Sequence, residues 1–252
     1  MDVNHDMQSG QKAPETPREK MPSFGTRLMA IFVEPKVVFD YVAKRNDIWG
    51  PTITLAILMM VANALMLPTS TKGQALMASV TGQQVPEVNT MAYVKTMASA
   101  PFGLVVGILL MAFVVWLVMT FTSGGAPFGR AMSMAAWCTF PGTLGMLLNG
   151  IVVSVAQPEI RSIQTFVADQ SPVLHYTSLN ALVTGTGPLL SMILLTISVF
   201  YLWQLWLVFI GARRSFGASP GGAWTLVVVL LLFQVAMAAL GGWGISMLIS
   251  RM

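Results

Sequence analysis

Few residues in this chain have side chains suited to chemistry, and their spacing separates them. The two histidines, His5 and His175, stand far apart in polar segments, and the single cysteine is Cys138. Zinc proteolysis needs two closely spaced histidines and a base, and no such set exists. A serine hydrolase needs a base beside its nucleophile, and a proton relay needs an intramembrane carboxylate or histidine. The long apolar runs hold neither. They do hold four amides, Asn63, Asn149, Gln204 and Gln234. Such groups serve as interhelical hydrogen bonds, each worth about 1 kcal/mol, or line a polar path. Methionine is abundant, at 19 residues, and thioether sulfur is a soft metal ligand. Met132 and Met134 lie near Cys138 but two apart, so they do not share a helix face. Methionine as an adaptable packing residue is the expectation. We therefore expect no catalytic residue, no metal site and no cofactor.

The elements that must position these amides follow from charge. Charged residues make up 10% of 252 positions, hydrophobic residues 55%, and mean hydropathy is +0.70. A soluble domain carries about 25% charged residues, so a water-facing surface cannot be covered. Fourteen of the 24 charges fall in the first 47 residues, seven basic and seven acidic. The net charge of +4 is dispersed between apolar runs. No basic cluster could neutralise a row of phosphates, which excludes a nucleic-acid partner. No long apolar stretch follows a basic start within this tail, so no cleavable signal peptide is expected.

An α-helix crosses the hydrocarbon core with roughly 20 apolar residues. The charge-free intervals predict five spans, at about 50–68, 102–122, 131–156, 188–210 and 224–249. The stretch from 170 to 187 is too polar and broken for a sixth, which leaves His175 in an outer loop. Lys/Arg bias puts ten basic residues on the side of the N-terminus and four on the other. We expect a multi-pass membrane protein with its N-terminus cytoplasmic and its C-terminus outside. In a bacterium this would be the inner membrane.

Residues 1–25 form a polar tail whose first 22 residues have too little apolar surface to order. Residues 26–47 predict two short amphipathic helices. Thr26 would cap the first, and Pro35 would open the second, where its missing N–H costs nothing. Val38, Phe39, Tyr41 and Val42 give the second an apolar side, suited to the membrane interface or to docking on the bundle. Trp49 is positioned as an interfacial anchor. In the outer loops, Ile160, Ile163, Phe166 and Val167 fall at helical spacing, with a weaker set at Met91, Val94 and Met97. Gly103 with Gly107, and Ala238 with Gly242 and Ser246, allow close helix approach within the bundle or between protomers. Pro141 should kink span three.

Three ordered stretches resemble the Yip domain family, that of Ypt-interacting protein 1. They are LMAIFVEPKVVFDYVAKRN before span one, GGAPFGRAMSMAAWCTFPG at the inner hairpin, and WQLWLVFIGARRSFGASPGGAW between spans four and five. Together they cover about residues 27–248. The resemblance implies an all-α, polytopic five-helix bundle preceded by an amphipathic interfacial helix, with an inward N-terminus. It also implies that Pro35, Phe39, Phe128, Arg130, Pro141, Gly211 and Arg213 occupy structural or interaction positions. Eukaryotic members bind prenylated Rab-type GTPases in vesicle traffic. The extended outer loops and Met-rich spans look bacterial, where that partner class is absent.

The expected organisation is thus a tail at 1–25, pre-membrane helices at 26–47 and a transmembrane domain at 48–252. The expected function is non-enzymatic: organising membrane components through the cytoplasmic face. Its partners would be membrane lipids and a membrane or cytoplasmic protein, with homo-oligomers as a further form. The alternative is a transporter or lipid-handling, scramblase-like protein. It would use the four amides and the Pro141 kink as its path.

Overall fold

A computed structural model describes residues 22–81, 90–157, 172–183 and 187–249. Its helices, in chain order, are α1 (Phe24–Val33), α2 (Pro35–Lys44), α3 (Trp49–Thr81), α4 (Thr90–Ser123), α5 (Phe128–Cys138) and α6 (Phe140–Ala156). They continue with α7 (Pro172–Tyr176), a 3₁₀ turn (Leu179–Leu182), α8 (Pro188–Thr196), α9 (Val199–Ser215) and α10 (Pro220–Ile249). The tail at 1–21 and the helical spacing at 160–167 lie outside the described residues.

Among the described residues, four segments are long and apolar enough to cross a membrane: Trp49–Leu76, Met97–Ser123, Phe128–Ala156 and Pro220–Gly244. A bilayer-spanning α-helix satisfies every backbone polar group internally, which is why apolar runs of this length become helices. The first two extend beyond the expected ends. Pro68 and Pro101 sit inside α3 and α4 without terminating them. Beside Pro68 the Ser70 and Thr71 hydroxyls donate to the Leu67 and Pro68 carbonyls. The Met91–Met97 set becomes the first turns of α4 rather than a separate helix.

The expected continuous helix at 188–210 is a correction. It is two helices, α8 and α9, broken at Ile197–Ser198. Thr196, Ile197 and Val199 are β-branched and lose side-chain freedom in a helix. Ser198 then caps α9, its hydroxyl accepting from the Tyr201 N–H at 3.3 Å. Together α8 and α9 run the length of α10. Leu189 of α8 packs on Gly242, and the rings of Phe209 and Trp224 lie 5.1 Å apart nearer the other end.

The break is held open by the segment after α6. The Leu179 N–H donates to the Ile197 carbonyl (3.1 Å), and the Val199 N–H donates to Thr177 (2.9 Å). This forms an antiparallel bridge between Ser178 and Ser198. Val199 stands sixteen residues before Ser215 in α9, about 24 Å along the axis at ~1.5 Å per residue. The segment 172–183 therefore folds back against the bundle near the far edge of the core. His175 belongs to this segment, where its Nδ1 lies 3.0 Å from the Asn180 amide nitrogen. Non-helical backbone at this depth requires protein around it, and the bridge supplies that cover.

Span three is interrupted beside Pro141. The helix breaks at Thr139, two residues before the proline, and resumes at Phe140. At the N-terminal side, α1 and α2 form a hairpin against the bundle. Ser23, rather than Thr26, caps α1, because its hydroxyl accepts from the Thr26 N–H at 3.2 Å. Val38, Phe39 and Val42 are fully buried, so α2 docks on the bundle. Met29, Phe32 and Val33 of α1 stay exposed at helical spacing, an apolar stripe suited to the interface.

Glycine sets the closest helix approach. A Cβ on Gly150 would stand 2.8 Å from the Ala62 carbonyl oxygen of α3. Gly150→Ala is expected to lose about 1–3 kcal/mol by overpacking. Gly103 has nothing within 4 Å of that position, so Gly103→Ala should stay within about 0.5 kcal/mol. Reversible unfolding in mixed micelles checks both, and equal losses would contradict the packing.

Candidate functional site

Two regions gather polar groups: a cavity inside the span region and a surface on the N-terminal side. The cavity has two chambers of about 390 and 330 Å³ that share Leu104, Thr139, Tyr201, Gln204 and Gln234. Thr139, at the interruption of span three, lines both chambers, and Thr196 and Ser198, at the break between α8 and α9, line the second. Gly142 leaves space for the Gln204 amide, whose Oε1 lies 3.3 Å from where a Cβ would stand. The Gln204 Nε2 donates to the Met111 sulfur at 3.6 Å. Tyr201 donates its phenol hydrogen to the Leu230 carbonyl at 3.1 Å. Gln234 lies on α10 with its side chain exposed.

The four amides do not form one path. Asn63 donates to Met59 of its own helix at 2.9 Å. Asn149 is fully buried and works as an anchor: its Oδ1 accepts from the Val173 N–H at 3.1 Å, and its Nδ2 lies 3.6 Å from the Met66 sulfur. Only Gln204 and Gln234 meet at the cavity. Met134 and Cys138 are buried packing residues, with the Met134 side chain lying against Gly211.

The second region is built by ties between distant segments. Arg27 Nε and Asp47 Oδ2 form an ion pair at 3.0 Å with both side chains nearly buried. The same carboxylate oxygen accepts from the Trp137 indole N–H at 3.2 Å, and the Asp47 N–H donates to Ser133 at 2.9 Å. The Arg27 guanidinium also stacks over Tyr41, 4.0 Å from the ring centre. These contacts fasten the α1–α2 hairpin to span three.

The turns join in the same way. Gly124 and Gly125 adopt positive φ, 75° and 138°, which a tight turn between α4 and α5 requires. Arg130 then donates to the Ser215 carbonyl at 3.2 Å, and the Ser215 hydroxyl donates to the Phe39 carbonyl at 3.1 Å. Arg214 and Asp40 form an exposed pair at 3.8 Å.

The expected structural positions divide accordingly. Pro35, Phe39, Pro141 and Gly211 are buried, Arg130 ties two turns, and Phe128 rests edge-on to Trp116 at 6.2 Å. Arg213 is exposed. Arg27, Asp47 and Trp137 were not among the expected site residues. Their signals were present: Arg27 stands one turn before the apolar Ile31, and a buried tryptophan needs a partner for its N–H.

Comparison with known proteins agrees with this architecture. The chain is 25% identical over 247 residues to "Membrane protein YknW" of Bacillus subtilis (strain 168), covering 96% of each. No solved structure matched. The Yip1 domain family model matches residues 29–242, from the hairpin to the last helix, and the chain therefore belongs to the Yip1 domain family of membrane proteins.

Proposed function

We propose that this protein organises membrane components without catalysing a reaction. It would act through the N-terminal-side face, with that face cytoplasmic. The supporting observation is the binding of three separated segments into one surface. The α1–α2 hairpin, the 124–127 turn and the 216–219 turn are joined through Arg130, Ser215 and Phe39. Loops left to fluctuate need no such cross-linking. This surface exposes Lys44, Arg45, Arg213 and Arg214 against Glu34 and Asp40. The excess of cations suits an acidic protein surface, since complementary charge steers encounter and fixes register. The Lys/Arg bias of the chain supports a cytoplasmic position for it. A transport path through all four amides is less well supported, because Asn63 and Asn149 are engaged away from the cavity.

A photoreactive residue placed at Ser219, exposed on this face, tests the reading in native membranes. One discrete protein adduct is expected. Reversing Arg45, Arg213 and Arg214 to Glu should weaken it by about tenfold or more if each rim charge contributes several tenths of a kcal/mol. Adducts confined to lipid, or unchanged by the reversals, would refute the proposal.

A further inference from the structure

The two-chambered cavity has its own chemical character, independent of the N-terminal-side surface. Its shared residues include three hydrogen-bonding side chains, Thr139, Gln204 and Gln234, and a phenol at Tyr201. The Tyr201 phenol and the Gln204 Nε2 are committed as donors. The Thr139 hydroxyl donates to Ala135 at 2.8 Å. The Gln204 Oε1 accepts nothing from a described residue. The whole Gln234 amide likewise makes no hydrogen bond to one. The centre thus offers accepting oxygens and one free amide N–H₂.

Among the described residues no Asp, Glu, Lys, Arg or His lines either chamber. The remaining surface is mostly aliphatic, aromatic and methionine, with Met111 and Met237 in one chamber and Met59, Met146 and Met192 in the other. Methionine is flexible and polarisable, and suits a surface that adapts to varied apolar shapes. Backbone breaks within a membrane are tolerated where they line a cavity. Both the Thr139 break and the Thr196–Ser198 break do so.

The position of the opening selects the source of the occupant. Gly107, Leu110, Gln234 and Met237 line one chamber and are exposed on the sides of α4 and α10. Both helices are spans, so this side faces hydrocarbon rather than water. A pure alkane would fill the chambers but leave the half-buried Gln204 oxygen and the lipid-facing Gln234 amide without partners, and hydrocarbon offers no water to replace them. A charged headgroup would enter a site with no counter-charge, which is far more costly. Each chamber lies within the roughly 300–1,000 Å³ of ligand sites.

We infer that this cavity binds an uncharged lipid bearing a hydroxyl or carbonyl group, taken laterally from the bilayer. The Gln204 and Gln234 amides pair with the polar group, and the methionine-lined chambers hold its chains. Diacylglycerol is the probe of this chemistry, since it combines a free hydroxyl, ester carbonyls and two chains.

The test uses the full chain in phosphatidylcholine nanodiscs with a diacylglycerol whose acyl chain carries a diazirine. Photolabelling should be saturable, map to peptides containing Met111, Leu205 or Met237, and fall on adding unlabelled dioleoylglycerol. Phosphatidylcholine with the same diazirine chain should label these peptides about tenfold less. Gln204→Leu and Gln234→Leu should each weaken labelling by about tenfold, one hydrogen bond's share of the affinity. Gly107→Phe has open space around it and should block labelling while leaving the melting temperature unchanged. Equal labelling by the two probes, or no saturation, would overturn the inference on the wild-type protein alone. Labelling unchanged in both glutamine variants would overturn it as well.

Discussion

Asp47→Ala is expected to lower stability by about 3–5 kcal/mol, the usual cost of leaving a buried charge without its partner. One oxygen of this carboxylate accepts from the Arg27 guanidinium and from the Trp137 indole. Alanine removes the acceptor of both bonds while Arg27 is only 7% exposed, too enclosed for water to replace it. The N-terminal hairpin should therefore loosen from span three before the bundle itself opens. Unfolding by SDS titration in mixed micelles, read by tryptophan fluorescence, measures the loss. The double variant Arg27→Met with Asp47→Leu separates charge from packing. Replacing a buried ion pair with apolar groups of similar volume is often neutral or stabilising, so most of the stability should return. A loss under about 0.5 kcal/mol for Asp47→Ala, typical of a surface change, would mean the hairpin is held by its apolar contacts alone.

Asn149→Leu should release the segment 172–183 from the bundle. The Asn149 Oδ1 accepts from the Val173 N–H at the start of α7, and leucine leaves that donor unpaired at a cost of about 1–3 kcal/mol. The bridge between Ser178 and Ser198 would then carry the segment unaided. Amide hydrogen exchange in peptides covering 173–183 should accelerate by about tenfold or more, since each 1.4 kcal/mol of local stability is a factor of ten. Asn63→Leu is the matched control. Among the described residues its amide bonds Met59 on its own helix alone, and exchange across 173–183 should not change. Unchanged exchange in Asn149→Leu would place the anchor of this segment elsewhere.

These two substitutions mark where reading the chain in one dimension loses information. The amphipathic pattern of 35–44 was legible, and Val38, Phe39 and Val42 are buried as that pattern requires. The pattern did not distinguish membrane from protein as the covering surface, because both are apolar. Arg27 and Asp47 read as two more charges of a neutral tail, since their pairing spans twenty residues and needs Trp137 to complete it. The four amides looked equivalent in their apolar runs. In the fold, Asn63 serves its own helix, Asn149 anchors a neighbouring segment, and Gln204 and Gln234 meet across a cavity. An amide's role depends on which helix faces it, and spacing along one helix does not encode that.

The class of the protein needed no structure. Twenty-four charges in 252 residues cannot cover a soluble surface, and apolar runs of span length have helices as their way of satisfying the backbone in lipid. Pro141 likewise marks the interruption of span three locally, because a proline removes a hydrogen bond from the helix that contains it, whereas Pro68 and Pro101 lie inside α3 and α4 without ending them. The break at Ile197–Ser198 was different. Its residues weaken a helix without forbidding one, and the span around them remains apolar enough to continue. The docking of Thr177–Leu179 supplied two backbone hydrogen bonds that an interrupted helix needs at that depth, beside the local cap from the Ser198 hydroxyl. Local chemistry thus decided where the chain enters the membrane, and tertiary pairing decided where the helix could stop inside it.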